Sequence, residues 1–149
     1  MYSLEQRKKA LQKLLKSIID HEEEVLEALY KDFKKPKFEG ILSETGYVIA
    51  DLKNTIKNIT KWSKPSKAFP SLLNFPSTDY IVKEPYGKVL IMSPWNYPFQ
   101  LALSPLIAAI AAGNSVTLKP SELTPYTSAV VSKIIRESFD VRQALVVTG

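Results

Sequence analysis

The run Val89-Leu90-Ile91-Met92 is apolar at every position and is bounded by Glu84-Pro85-Tyr86-Gly87 before it and by Pro94 and Pro98 after it. So short a run between turn signals reads as a strand buried on both faces, the habit of strands in parallel sheets. Parallel strands in turn require a crossover of a dozen or more residues, usually a helix. The following residues supply one. Phe99 to Ala112 reads as an apolar helix, with Pro98 suited to its first turn and Gly113 to its stop. Ser115 to Lys119 then reads as a strand, Thr124-Pro125 opens a helix to about Ser138, and Ala144 to Val147 reads as a third strand. With the first strand at Lys88 to Ser93, the order is βαβαβ: an α/β chain carrying an incomplete doubly wound, Rossmann-like half-sheet, of the kind that binds nucleotides at its carboxyl edge. Such a half-sheet leaves a strand edge unpaired and the helix Phe99 to Ala112 partly uncovered, and both features favour self-association.

The residues before the sheet are helical. Ser3 and Gln6 have the form of a capping box, and Leu11, Leu14, Leu15, Ile18 and Ile19 repeat at helical spacing. Asp20 is placed to cap a second helix. That helix carries Glu22, Glu23 and Glu24 in its first turn and Lys31, Lys34 and Lys35 at its far end, each sign matching the macrodipole, and Pro36 ends it. A third helix is predicted from Ile41 to about Trp62, with Val48, Leu52, Ile56 and Ile59 on one stripe. From Ser63 to Thr78 the periodicity disappears, and Pro65, Pro70 and Pro76 mark an extended connector. A strand is predicted again over Asp79 to Glu84. The chain therefore divides into a helical segment, 1–62, a connector with a bridging strand, 63–87, and a partial cofactor domain, 88–149.

Composition narrows the function classes. The 20 basic and 15 acidic residues give a net charge of +5 but are intermingled, so no nucleic-acid footprint emerges. The chain has no cysteine, which excludes a disulfide, a cysteine-ligated metal and a cysteine nucleophile within it, and fits a reducing cytoplasm. The most apolar window, Phe99 to Ala112, falls short of the roughly 20 residues that span a bilayer. No Gly-x-Gly-x-x-Gly or Walker sequence cradles a phosphate. The one histidine, His21, stands beside three glutamates and reads as a solvated helix-start residue, and no metal site is proposed.

Two loops at the carboxyl ends of strands remain. In Ser93-Pro94-Trp95-Asn96-Tyr97-Pro98, the Asn96 amide either donates to a developing oxyanion or completes a turn. As an oxyanion donor its loss would cost on the order of 100- to 1000-fold in rate. In Lys119-Pro120-Ser121-Glu122, a carboxylate that accepts from ribose hydroxyls and an ammonium that holds a ribose oxygen or phosphate stand three positions apart, and a surface salt bridge is the competing reading.

At this point the residues carry a resemblance. Glu84-Pro85-Tyr86-Gly87-Lys88-Val89, Pro94-Trp95-Asn96-Tyr97-Pro98, Ala108-Ala109-Ile110-Ala111-Ala112-Gly113-Asn114 and Leu118-Lys119-Pro120-Ser121-Glu122 with Thr124-Pro125 resemble, in order and spacing, the aldehyde dehydrogenase superfamily. Asp32, Lys35-Pro36-Lys37-Phe38-Glu39, Glu44 and Trp62-Ser63-Lys64-Pro65 are similar to its class-three branch of fatty and aromatic aldehyde dehydrogenases. The likeness runs to about residue 139. It implies that Asn96 helps hold the aldehyde oxygen, that Lys119 and Glu122 bind the adenosine ribose of NAD or NADP, and that the backbone around Met92, Ser93, Pro94 and Trp95 lines the cofactor channel. Trp95 and Tyr97 themselves read as packing residues. The strand near Tyr80 to Glu84 belongs, by the same resemblance, to an oligomer-forming region.

In the family a cysteine thiolate adds to the aldehyde, hydride passes to the nicotinamide, and a glutamate-activated water hydrolyses the thioester. The expectation is an amino-terminal fragment that matches the family yet stops before its phosphate-binding segment and catalytic domain. It would bind cofactor weakly or not at all, meet aldehyde only in a full-length enzyme, and not turn over alone. One piece of a split enzyme awaiting a carboxyl-terminal half, and a non-catalytic scaffold, are the alternatives. A homo-oligomer is expected in the fragment's own right.

Overall fold

The computed structural model describes residues 2–149. Helix α1 (Leu4–Asp20) opens on the predicted capping box: Ser3 Oγ accepts from the Gln6 amide and the Gln6 side chain accepts from the Ser3 amide. Its buried stripe is Ala10, Leu11, Leu14, Ser17 and Ile18. Asp20 is the last residue of α1 and caps nothing. The cap position of α2 (Glu22–Phe33) falls to His21, whose Nδ1 lies 2.8 Å from the Ser17 carbonyl and whose Nε2 lies 3.6 Å from Glu137. A junction of one residue folds the ring back between helices, so His21 is half-buried rather than solvated.

Pro36 is a start as well as a stop. In extended conformation it precedes α3 (Lys37–Gly40), which continues through a π-helical turn, Ile41–Thr45, into α4 (Gly46–Trp62). The helix expected from Ile41 thus begins at Lys37, with Pro36 at its cap position, where its carbonyl accepts from the Gly40 amide at 2.9 Å. The π turn is closed by the Gly46 amide donating to the Ile41 carbonyl. A Cβ at Gly46 would fall 2.6 Å from that oxygen, so the turn depends on glycine there.

The connector is not wholly unpaired. Within it β1 (Ser66–Ala68) pairs antiparallel with β2 (Asp79–Ile81), Ser66 opposite Ile81, and Leu72–Asn74 make one 3-10 turn. Pro65 and Pro70 flank β1 instead of interrupting it, which leaves its amides available for the ladder. The ribbon stops at Ile81 rather than Glu84, because β1 offers no further partner.

The main sheet contains β3 (Lys88–Met92), β4 (Ser115–Lys119) and β5 (Ala144–Val146), all parallel in the order β3-β4-β5. Helices α5 (Gln100–Ala112) and α6 (Pro125–Ser138) share one core with Ile91, Val116, Leu118, Ala144 and Val146. The strand order steps in one direction, so crossovers of one hand place both helices on the same face. Two expectations change accordingly. The β3 run is buried on one face only: Ile91 is enclosed, whereas Leu90 and Met92 are 62% and 72% exposed. And α5, expected to be partly uncovered, buries Ala102, Leu103, Leu106, Ile107 and Ile110, because α1 and α4 pack on the side away from the sheet. The bare apolar surface belongs to the sheet, not the helix.

Candidate functional site at the carboxyl edge of the sheet

The register of β3 against β4 places Met92 opposite Lys119, and the Ser93 amide donates to the Lys119 carbonyl at 3.0 Å. The two loops singled out in the sequence therefore leave the sheet side by side. In the first, Met92, Pro94, Trp95 and Asn96 are exposed and Ser93 is buried. Among the described residues the Ser93 hydroxyl has no hydrogen-bond partner. The aromatic residues on either side of Asn96 are attached to the corner between α2 and α3. Trp95 lies with its ring centroid 6.4 Å from that of Phe33, and the Tyr97 ring faces Lys35 Nζ at 4.5 Å. Both rings remain exposed, Trp95 at 53% and Tyr97 at 39%, so these contacts anchor the side chains without enclosing them, with cation–π attraction at Tyr97. Asn96 is held between two anchored neighbours with its amide open to solvent.

In the second loop Lys119 and Glu122 form a direct ion pair, both partners substantially exposed. The hydrogen bond from Lys119, then one from the residue's own backbone, then the Lys119 charge hold the Glu122 carboxyl below the usual carboxylate range. Pairing and ribose binding are compatible readings of this geometry, because the pair is presented to solvent at the end of the central strand. The loop itself is shaped by hydroxyls: Ser128 Oγ and Thr124 Oγ1 donate to the Ser121 carbonyl, and Ser121 Oγ accepts from the Leu123 amide. After β5 the chain returns to this edge, where a Cβ at Gly149 would fall 2.6 Å from Glu122 Oε1.

Three residues noted in the sequence only as marks of resemblance or as helix-end charges hold these loops in place. Glu44 is fully buried; its Oε1 receives Lys35 Nζ at 2.6 Å, and its Oε2 accepts from the Phe99 and Gln100 amides at 3.1 and 2.9 Å. Lys35, read as a dipole-matching cation at the end of α2, is turned inward. Asp32 does for α6 what Glu44 does for α5: its carboxylate accepts from the Tyr126 amide at 3.3 Å, the Thr127 amide at 2.8 Å and the Thr127 hydroxyl at 2.7 Å. A signal for Glu44 was present, since it stands four residues before Val48 and eight before Leu52, on the buried stripe.

A cavity of about 430 Å³ lies elsewhere, at the amino edge of the sheet among Arg7, Thr55, Trp62, Glu84 and Gly113. Its size does not make it the site. Open α/β sheets bind ligands beyond the carboxyl ends of their strands, and the residues with suitable chemistry are gathered there.

Comparison with known proteins bears on the family and the fold. The profile described as "Aldehyde dehydrogenase family" matches residues 1–149. The chain is 46% identical over 143 residues to the 4,4'-diaponeurosporen-aldehyde dehydrogenase of Staphylococcus aureus, covering 96% of this chain and 31% of that protein. It is 43% identical over 133 residues to a fatty aldehyde dehydrogenase of Saccharomyces cerevisiae, covering 89% of this chain and 25% of that protein. A structure of Staphylococcus aureus AldH in a substrate-bound state superposes with a TM-score of 0.95 at 45% identity, over 99% of this chain and 32% of its own. A succinic semialdehyde dehydrogenase from Streptococcus pyogenes, solved with NADP+, shares the fold at 16% identity, a TM-score of 0.84 and coverage of 97% of this chain and 31% of its own. The chain spans about a third of the length of the first-named relative and corresponds to the amino-terminal region of such enzymes. With the match extending through residues 1–149, the chain belongs to the aldehyde dehydrogenase family.

Proposed function

We propose that this chain is the cofactor-domain portion of an NAD(P)-dependent enzyme that oxidises an aldehyde to a carboxylic acid, and that it does not turn over alone. The observation that carries this reading is the exposed Lys119–Glu122 pair at the end of the central strand, one register position from the loop that presents Asn96. The pair fits a ribose diol: a carboxylate kept anionic by its neighbour accepts from two hydroxyls, while the ammonium donates to a ribose oxygen. The backbone of Met92, Ser93, Pro94 and Trp95 lines the approach, and the Asn96 amide donates to the aldehyde oxygen as negative charge develops on it. Bound NAD or NADP supplies the hydride acceptor.

The sequence has no thiol to attack the aldehyde, so chemistry awaits residues outside it. The uncovered sheet face of Leu90, Met92 and Leu145 supports the same view, because apolar surface of this kind is a surface made to be covered, by a carboxyl-terminal half or by a second copy. Isothermal titration of the purified chain with NAD and NADP, with an aldehyde-dependent absorbance assay on the same sample, tests the proposal. Weak binding without turnover is expected. Turnover by the pure chain overturns it, and binding left unchanged by both Lys119→Ala and Glu122→Ala removes the ribose assignment.

A further inference from the structure

The amino terminus of a helix that follows a strand is the usual seat of a nucleotide's phosphates, because unpaired amides and the positive dipole end meet there. This sheet has two such helices, and in both the seat is taken. At α5 the Phe99 and Gln100 amides donate to Glu44; at α6 the Tyr126 and Thr127 amides donate to Asp32. The occupants come from the helical segment that precedes the sheet, 55 and 94 residues away in sequence from the nearest amide of each site. Neither is a stray surface contact. Glu44 has no exposed surface and is neutralised by Lys35, itself buried, and Asp32 also accepts from the Thr127 hydroxyl, which is fully buried.

We infer that Glu44 and Asp32 are internal anions that seal both helix termini against phosphate, so that this chain contributes ribose recognition to its cofactor but no phosphate seat at α5 or α6. The inference rests on the proposed cofactor site for its functional meaning, though not for the sealing itself. It assigns Glu44 and Asp32 a second effect as positioning residues: by docking the helical segment onto the carboxyl edge, they fix the starts of the helices that follow the Asn96 and Glu122 loops. A dinucleotide's pyrophosphate then gains nothing from these two helix starts. The pyrophosphate is expected to add nothing to affinity at these two positions, whereas a free helix terminus would strengthen binding by about two- to fivefold.

The test uses the chain labelled with nitrogen-15 and titrated with inorganic pyrophosphate, following the amide resonances of Phe99, Gln100, Tyr126 and Thr127. No saturable shift is expected in the wild type. Asp32→Gly is expected to gain one at Tyr126 and Thr127 and not at Phe99 and Gln100. Asp32→Asn, which keeps the shape and an accepting oxygen, is expected to stay closed while its spectrum remains dispersed, so that poor folding of the glycine variant does not leave the question open. Saturable shifts at any of the four amides in the wild type overturn the sealing, whatever NAD does. If pyrophosphate is refused and neither adenosine nor NAD binds, the sealing stands and the ribose site fails.

Discussion

Glu44 has no exposed surface, and each of its oxygens is engaged, one by a buried ammonium and the other by two backbone amides. Truncation to alanine strands the Lys35 charge and both donors together. A cost of about 3–5 kcal/mol is expected, read as a fall in the urea midpoint at constant slope. Glu44→Gln keeps an accepting oxygen and should lose less; equal loss in the two variants would mean that the donors, not the charge, are immaterial to the site. Glu122 sits at the other extreme, in an exposed pair whose contribution to stability is small. Its value is diagnostic. Because Lys119 lowers its pKa in the folded chain, whatever stability the pair adds is complete above the ordinary carboxylate range and is lost as pH falls through the lowered value. Lys119→Met should move the Glu122 titration back up toward that range, followed by carbon-13 NMR of the side chain between about pH 6 and pH 2. An unmoved midpoint would show that the pair does not form in solution.

At the scale of elements, the π turn is the segment that carries Glu44, and it is closed at Gly46. Gly46 lets the Ile41 carbonyl approach, and any side chain there meets backbone at 2.6 Å. Gly46→Ala is therefore expected to cost about 1–3 kcal/mol despite the better helix propensity of alanine. A stabilised variant would argue that the turn relaxes to ordinary α-helix at no cost. This turn also marks the limit of what the sequence discloses. Leu11, Leu14 and Ile18 of the α1 stripe (Ile19 is exposed), the capping box, the βαβαβ order and the Gly113 stop were legible because each has a local pattern: period 3.6, a Ser-to-Gln spacing, short apolar runs between turn residues, a glycine just past an apolar helix. The π turn has no such pattern, and neither has a ribbon of three pairs whose partners are separated by a proline-rich loop. The site divides in the same way. Asn96, Lys119 and Glu122 were proposed from loop position, and the structure brings their loops to one sheet edge, but the carboxylates that hold those loops act across 55 residues or more, and only Glu44 left a trace, by falling on an apolar stripe.

For the whole molecule, the decisive feature is a sheet with a single covered face. In the register of the sheet, Leu90, Thr117 and Leu145 form one row across all three strands, and Leu90 and Leu145 are 62% and 42% exposed. The adjoining Met92 and Val147 extend the same apolar surface. The alternate residues Ile91, Leu118 and Val146 are buried beneath α5 and α6, so the pleat separates a finished face from an unfinished one. Burial of apolar area contributes roughly 25 cal/mol per Å², and two such faces brought together recover it without any new strand pairing. The chain alone is thus expected to self-associate at micromolar concentration, through the sheet face rather than through α5. Light scattering on Leu90→Lys with Leu145→Lys distinguishes the routes. Charges placed in the exposed row should shift the population toward monomer while leaving the helical circular dichroism unchanged, since neither side chain belongs to the core. If the double variant associates as strongly as the wild type, the contact lies elsewhere, with the β1–β2 ribbon and the exposed Leu72, Leu73 and Phe75 beside it as the next surface to charge. If the wild type is itself a monodisperse monomer, the open face is tolerated in water, and the proposal that it awaits a covering partner loses its physical ground.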